Sequence, residues 1–157
     1  MTLPPWCLDP SLAAETCAVA DGPVSALRLH HAVEVEWWIL VPRVPAALEL
    51  CDLSDEAAQI LLTESLSVQR ALRRRFPSAR LNVGKLGNVV AQLHVHHVVR
   101  SADDVLWPGP VWGRVGGARR SQADIEQRVE AMKSMLAATS PTSVNWRWCA
   151  AKGRDHS

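Results

Sequence analysis

The sequence predicts an α+β fold, a mostly antiparallel sheet of about five strands with one long helix packed on it and a second helix near the C-terminus. Short apolar segments with period-two character fill the first third of the chain and recur after residue 80, and a capped stretch with helical spacing separates them. A length of 157 residues suits one core of ordinary size rather than two.

Residues 15–20 read as a strand that runs into the turn residues Asp21, Gly22 and Pro23, and residues 24–30 follow with partial alternation, which together describe a hairpin. Residues 37–41 form a compact apolar run ending at Pro42, and their bulky and β-branched side chains fit a buried central strand. Ser54, Asp55 and Glu56 then supply a helix cap and an acidic first turn. Apolar positions recur at Ala57, Ala58, Leu61, Leu62, Ala71 and Leu72, and Arg73, Arg74 and Arg75 place cations where the helix dipole favours them. One amphipathic helix over 54–76 is expected, its arginine end in solvent. Beyond it come a strand over 80–84, a turn at Gly87 and Asn88, and a strand over 89–100. A turn-rich segment over 106–113 and a hinge over 113–120 lead to the second helix, capped by Ser121 and Asp124 and spaced by Ile125, Val129, Met132 and Leu136. Trp146, Trp148 and the polar tail read as a short extension. The organisation is a single domain over 1–157, with a core over about 15–115 and a C-terminal extension over about 116–157.

Composition narrows the function. Seventeen basic residues against 16 acidic ones give a net charge of +1, so the broad basic field that non-specific binding to DNA or RNA requires is missing and no nucleic-acid partner is expected. The longest apolar run, residues 37–42, is far shorter than the roughly 20 residues that cross a bilayer. The first ten residues show no basic leader ahead of an apolar core. Neither a membrane partner nor export is expected, and the reading is a cytoplasmic protein. Cys7, Cys17, Cys51 and Cys149 are scattered, form no Cys-x-x-Cys pair, and read as reduced, mostly buried thiols.

The chemistry concentrates in residues 89–100. On a strand of period two, Gln92, His94 and His96 share one face, while Leu93, Val95 and His97 face the other, which leaves His97 a half-buried or edge histidine outside the constellation. Two uses suit such a pair. A neutral imidazole, with an ordinary pKa of about 6.5, keeps one nitrogen free as a nucleophile when the other donates to an acceptor such as a backbone carbonyl. Two imidazoles aimed into one cavity also suit a metal ion, with His30, His31 or Glu34 as the distant third ligand.

Gln92-Leu93-His94-Val95-His96, followed by Arg100, resembles the motif of the histidine triad family, in which polar residues alternate with apolar ones on a strand and an arginine follows. The likeness takes in Asn82-Val83-Gly84, Gly87-Asn88-Val89-Val90 and Ile39-Leu40-Val41-Pro42-Arg43, and the Trp107-Pro108-Gly109-Pro110-Val111-Trp112 segment resembles a bacterial subgroup. It covers roughly residues 15–115. The resemblance implies a nucleotide hydrolase or nucleotidyl transferase that needs no cofactor or metal. His94 attacks the α-phosphorus of a nucleoside phosphoramidate, dinucleoside polyphosphate or related nucleotide, a covalent nucleotidyl-histidine forms, and water or an acceptor displaces it. Arg100, six residues on, favours His94 over His96 as the nucleophile.

Under the same likeness His96 contacts the phosphate or leaving oxygen and Gln92 takes the first triad position. Asn82, Gly87, Asn88, Val89 and Val90 bind substrate: the amides of 87–90 and the Asn88 side chain cradle phosphate oxygens, and Asn82 orients that loop or the phosphate. Trp37 or Trp38 borders the nucleoside, Trp107 and Trp112 close over the site or pack on a second subunit, and a homodimer is implied. The sequence departs from the pattern at Gln92, an amide in place of a titratable histidine; at Val44-Pro45, where the family carries a further histidine; and at Asn88, shorter than the family's glutamine. Gln92 motivates the alternative of a non-enzymatic nucleotide-binding module.

Overall fold

A computed structural model describes residues 5–150; the first residues of the N-terminal segment and most of the polar tail lie outside the described residues. The elements are α1 (Pro10–Glu15), β1 (Thr16–Asp21), β2 (Ser25–His30), β3 (Glu36–Pro42), α2 (Asp55–Arg75), β4 (Arg80–Gly84), β5 (Val95–Arg100), α3 (Gln122–Thr139) and β6 (Arg147–Trp148). The fold is α+β, and among the described residues its strands form one six-stranded antiparallel sheet in the order β4-β5-β3-β2-β1-β6. The expected strands are present, and the sixth is the two-residue β6, which lies against β1.

The pleat of the central strands sorts the apolar side chains into two cores. Trp38 and Leu40 of β3, Leu27 and Leu29 of β2, and Val95 and Val99 of β5 meet Leu61, Val68 and Leu72 of α2 and Met132 and Leu136 of α3. Trp37, Ile39, Val41 and Val98 point to the opposite face, where Leu12 of α1 and Leu106 and Val111 cover them. Each large side chain so buried stabilises the fold by about 1.5–3 kcal/mol. The α3 and β6 end of the chain shares the first core through Met132, Leu136 and Trp146.

Capping follows the sequence. Ser54 Oγ accepts the Ala57 N–H at 3.2 Å and Ser121 Oγ accepts the Asp124 N–H at 3.2 Å. Arg73, Arg74 and Arg75 are exposed in the last turn of α2. A second link ties α2 to the hairpin: Glu64, fully buried, accepts the N–H groups of Val24 (2.8 Å) and Ser25 (3.1 Å). A Cβ at Gly22 would collide with the Glu64 carboxyl group and stand 2.9 Å from the Trp146 ring, so the turn needs glycine there.

Four expectations change. The histidine strand begins at Val95, not at 89, because the segment before it leaves the sheet and pairs elsewhere, as in the Leu93 N–H bond to the Ala47 carbonyl at 3.0 Å. His97 is fully buried rather than half-buried, since α2 covers that face of β5. The 113–120 hinge is pinned at its end: Arg120 donates its backbone N–H to His31 O (2.8 Å) and its guanidinium to Val35 O (2.5 Å) and Asp124 (2.9 Å). Cys7, Cys51 and Cys149 are exposed and Cys17 is half-buried, because Cys7 and Cys149 lie outside the sheet and helices and Cys51 sits in a short 3-10 helix, Leu50–Asp52, that buries none of its residues. No helix among the described residues is long and apolar enough to cross a membrane.

Candidate active site

On β5, alternation turns Val95, His97 and Val99 toward the helices and His96, Val98 and Arg100 toward the other face. His94 lies one residue ahead of the strand, and its ring meets that of His96 edge-on with centroids 4.6 Å apart. Both line a cavity of 570 Å³, with Gly87, Asn88, Val89 and Val90 on one wall. Six of the eight residues expected at the site are thus brought together.

The hydrogen bonds set the protonation of each ring. His94 Nδ1 is 2.7 Å from the Gln92 carbonyl oxygen, which only accepts, so Nδ1 carries the proton and Nε2 keeps its lone pair. His96 has the opposite tautomer. Its Nδ1 accepts the Trp37 indole N–H at 3.0 Å, which leaves the proton on Nε2. Burial first, then the neighbouring His94, His30 and His97, lowers the His96 pKa to about 3, so at neutral pH it is a hydrogen-bond donor without charge. Trp37 also stacks on His30, at 4.2 Å between centroids and 13° between planes. His30 accepts the Ala32 N–H at Nδ1 (3.0 Å), and burial pushes its pKa down to about 4.

This chain of rings crosses three neighbouring strands, β5, β3 and β2, a span of about 10 Å at the usual strand spacing. Trp112 closes the row from the following loop, edge-on to His96 at 5.6 Å and to Trp37 at 6.4 Å. At the His94 end, Gly87 has φ +100°, and a Cβ there would stand 2.9 Å from Lys85 Nζ. The positive φ favours glycine there, while the lysine end could move aside. The amides of Gly87, Asn88, Val89 and Val90 donate to no other described residue, which suits them to an anion. Glu15 of α1 and Arg119 line the cavity as well, the latter donating to the Ala14 carbonyl at 2.6 Å.

Two expected residues are elsewhere. Asn82 turns away from the cavity and accepts from the Arg100 guanidinium at 3.2 Å. Arg100 is itself buried, paired with both oxygens of Asp104 (2.8 and 3.0 Å) and bonded to the Gly109 carbonyl (2.8 Å), so this pair holds the loop that carries Trp112. Gln92 bonds to the N-terminal segment, accepting from Asp9 N–H (2.9 Å) and donating to Cys7 O (2.8 Å). Of the paired tryptophans, Trp37 borders the cavity, whereas Trp38 faces the helices and donates to Glu36 at 2.7 Å. Trp107 is 43% exposed and stacks over Arg100. Among the described residues no three His, Cys, Asp or Glu side chains are placed to hold a metal ion.

Sequence reasoning offered Trp37 as a border of the nucleoside but missed its bond to His96, and it missed the α1 wall. Trp37 was legible in principle, because Ile39 pairs with His96 and position 37 shares that face. Asp9-Pro10, a cap residue followed by proline at the first helical position, is a start signal for α1.

The profile of the HIT domain family matches residues 13–103. A crystal structure of a histidine triad protein from Bradyrhizobium japonicum is 34% identical, with a TM-score of 0.81 over 85% of this chain and 99% of the other. One from Marinobacter aquaeolei VT8 is 32% identical, with a TM-score of 0.82 over 87% and 100%. A third, from Sinorhizobium meliloti 1021, is 28% identical, with a TM-score of 0.79 over 82% and 96%. Among curated proteins no sequence matches.

Proposed function

The chain belongs to the histidine triad family, and on that premise we propose that it is a nucleotide hydrolase or nucleotidyl transferase with His94 as its nucleophile. The observation that carries the reading is the 2.7 Å bond from His94 Nδ1 to the Gln92 carbonyl, which gives the neutral ring the tautomer with its lone pair on Nε2, in a cavity whose wall offers free backbone amides. As Nε2 attacks the α-phosphorus, the bond from phosphorus to its leaving nitrogen or oxygen breaks and the ring becomes an imidazolium. The carbonyl on Nδ1–H steadies that charge. Water then attacks phosphorus, losing a proton to solvent, and the P–N bond to His94 breaks to give a nucleoside monophosphate.

His96 supports the transition state by its Nε2–H and not by charge, since burial keeps it neutral. With Gln92 unable to act as an acid, the leaving group takes its proton from solvent. That favours groups that depart easily, such as the amine of a phosphoramidate already protonated on nitrogen. The nucleoside lies along Trp37 and His30, a distance of about 10 Å that suits a phosphate at one end and a base at the other. A cytoplasmic homodimer completes the reading.

Intact mass spectrometry after brief incubation with adenosine and guanosine phosphoramidates and dinucleoside polyphosphates tests it. Wild type is expected to release nucleoside monophosphate and carry a nucleotidyl adduct at His94, and His94→Ala to lose at least ~10³-fold in turnover while still binding nucleotide. Nucleotide binding with neither adduct nor turnover would move the conclusion to a binding module, a reading favoured by the engagement of Gln92 away from the cavity.

A further inference from the structure

Gln92 occupies the first triad position, yet both ends of its amide are bonded to the backbone of residues 7–9. Those residues are more than eighty positions away in sequence. By offering an acceptor to Asp9 N–H and a donor to Cys7 O, the side chain reproduces the pairing that a neighbouring strand would give to one face of that segment. The segment leads directly into a cavity wall. Asp9 caps α1 by accepting the Ser11 N–H at 2.8 Å, and Ser11, Leu12 and Glu15 of α1 line the cavity.

At the far end of α1, Arg119 donates to Ala14 O at 2.6 Å and the His31 N–H donates to Glu15 O at 2.9 Å. Trp6 and Leu8 pack against the core cluster that contains Trp37 and Ile39. A six-residue helix does not persist on its own, so the place of α1 depends on these anchors. Gln92 is the side-chain anchor on the His94 side.

We propose that Gln92 is a positioning residue, clamping residues 7–9 and so holding the α1 wall of the nucleotide cavity, and that it does not act on the leaving group. The inference rests on the cavity being the nucleotide site. It also accounts for the residue type. A primary amide carries donor and acceptor side by side, whereas the two nitrogens of a histidine ring diverge and cannot address residues 7 and 9 together.

The test compares the full-length wild type with Gln92→Ala and Gln92→Glu by amide hydrogen exchange, by affinity for adenosine monophosphate, and by kcat and KM on an adenosine phosphoramidate. In Gln92→Ala the Asp9 amide is expected to exchange about tenfold faster or more, and affinity for the monophosphate to fall about tenfold. KM should rise by a similar factor, with kcat down by less than about threefold. Gln92→Glu should lie between, since its carboxyl group still accepts from Asp9 but opposes the Cys7 carbonyl. A loss confined to kcat with an altered pH profile, and Asp9 exchange within about twofold of wild type, would assign Gln92 to the leaving group and overturn the proposal. Faster exchange spread equally over β5 would also overturn it, by showing a general loss of stability in place of a local clamp. A wild type without turnover would sink the enzymatic reading alone, because exchange and affinity still decide the clamp.

Discussion

His96 and His97 are consecutive in the chain and lie on opposite sides of one strand. Both are buried, and in both burial is the first cause of a lowered pKa, to about 3 and about 4 respectively. What separates them is the nitrogen each has left. His96 accepts from Trp37 on Nδ1 and turns Nε2 to a cavity, whereas His97 has its Nε2 bonded to Ser65 Oγ at 2.7 Å under α2. A perturbed histidine therefore marks a functional group only when its remaining nitrogen meets open space.

The largest effect expected treats the two alike. His30, His96 and His97 have folded pKa values below the ordinary 6.5, so the unfolded chain binds more protons than the folded one as pH falls through 6.5 toward 4. Their contribution is complete above 6.5 and lost on acidification, about 4 kcal/mol for the three together between pH 7.5 and 5.5. Urea unfolding at the two pH values measures it; a rise in stability on acidification would contradict the buried neutral assignment.

Replacement of His97 by alanine is expected to cost about 3 kcal/mol of stability, as a fully buried ring is lost and the Ser65 hydroxyl loses its partner. The kcat/KM of the folded enzyme should change by less than about threefold. His96→Ala should invert the pattern: kcat/KM lower by about 100-fold, with the greater effect on activity rather than on the denaturation midpoint. If both variants lost activity and stability in equal measure, the distinction between the two faces would fail.

The smallest effect is at Trp37. In Trp37→Phe the indole donor to His96 is gone, and since that bond favours the neutral ring, the His96 pKa should rise. Turnover should fall about tenfold, and the His96 ring, followed by NMR, should titrate at higher pH than in wild type. An unmoved His96 titration would mean that the indole contributes packing alone.

Alternation in the sequence was enough to put His96 on one face and His97 on the other, with His94, just ahead of the strand, beside His96, and the cap and spacing from Ser54 onward defined α2. Alternation does not say what covers a face, which is why His97 read as an edge residue until Ser65 of α2 was placed over it. Gln92 was misplaced for a related reason. Period two holds only while the chain remains a strand, and β5 starts three residues after Gln92, whose partners at 7 and 9 leave no local pattern. Asn82 was drawn off by Arg100, a long-range choice between hydrogen-bond partners that spacing does not encode. β6 is two residues long and has no periodicity to read.

The reach of Glu64 into the β1–β2 turn has a consequence for how the molecule opens. Lifting α2 off the hairpin would strip the Val24 and Ser25 amides of their acceptor and leave a polar side chain bare in an apolar interior. Helix and hairpin are thereby welded into one cooperative unit, whose amides should exchange only on global unfolding. The α1 wall is held instead by hydrogen bonds at its two ends, from Gln92 on one side and Arg119 on the other, so its amides should exchange by local opening while the frame behind stays closed.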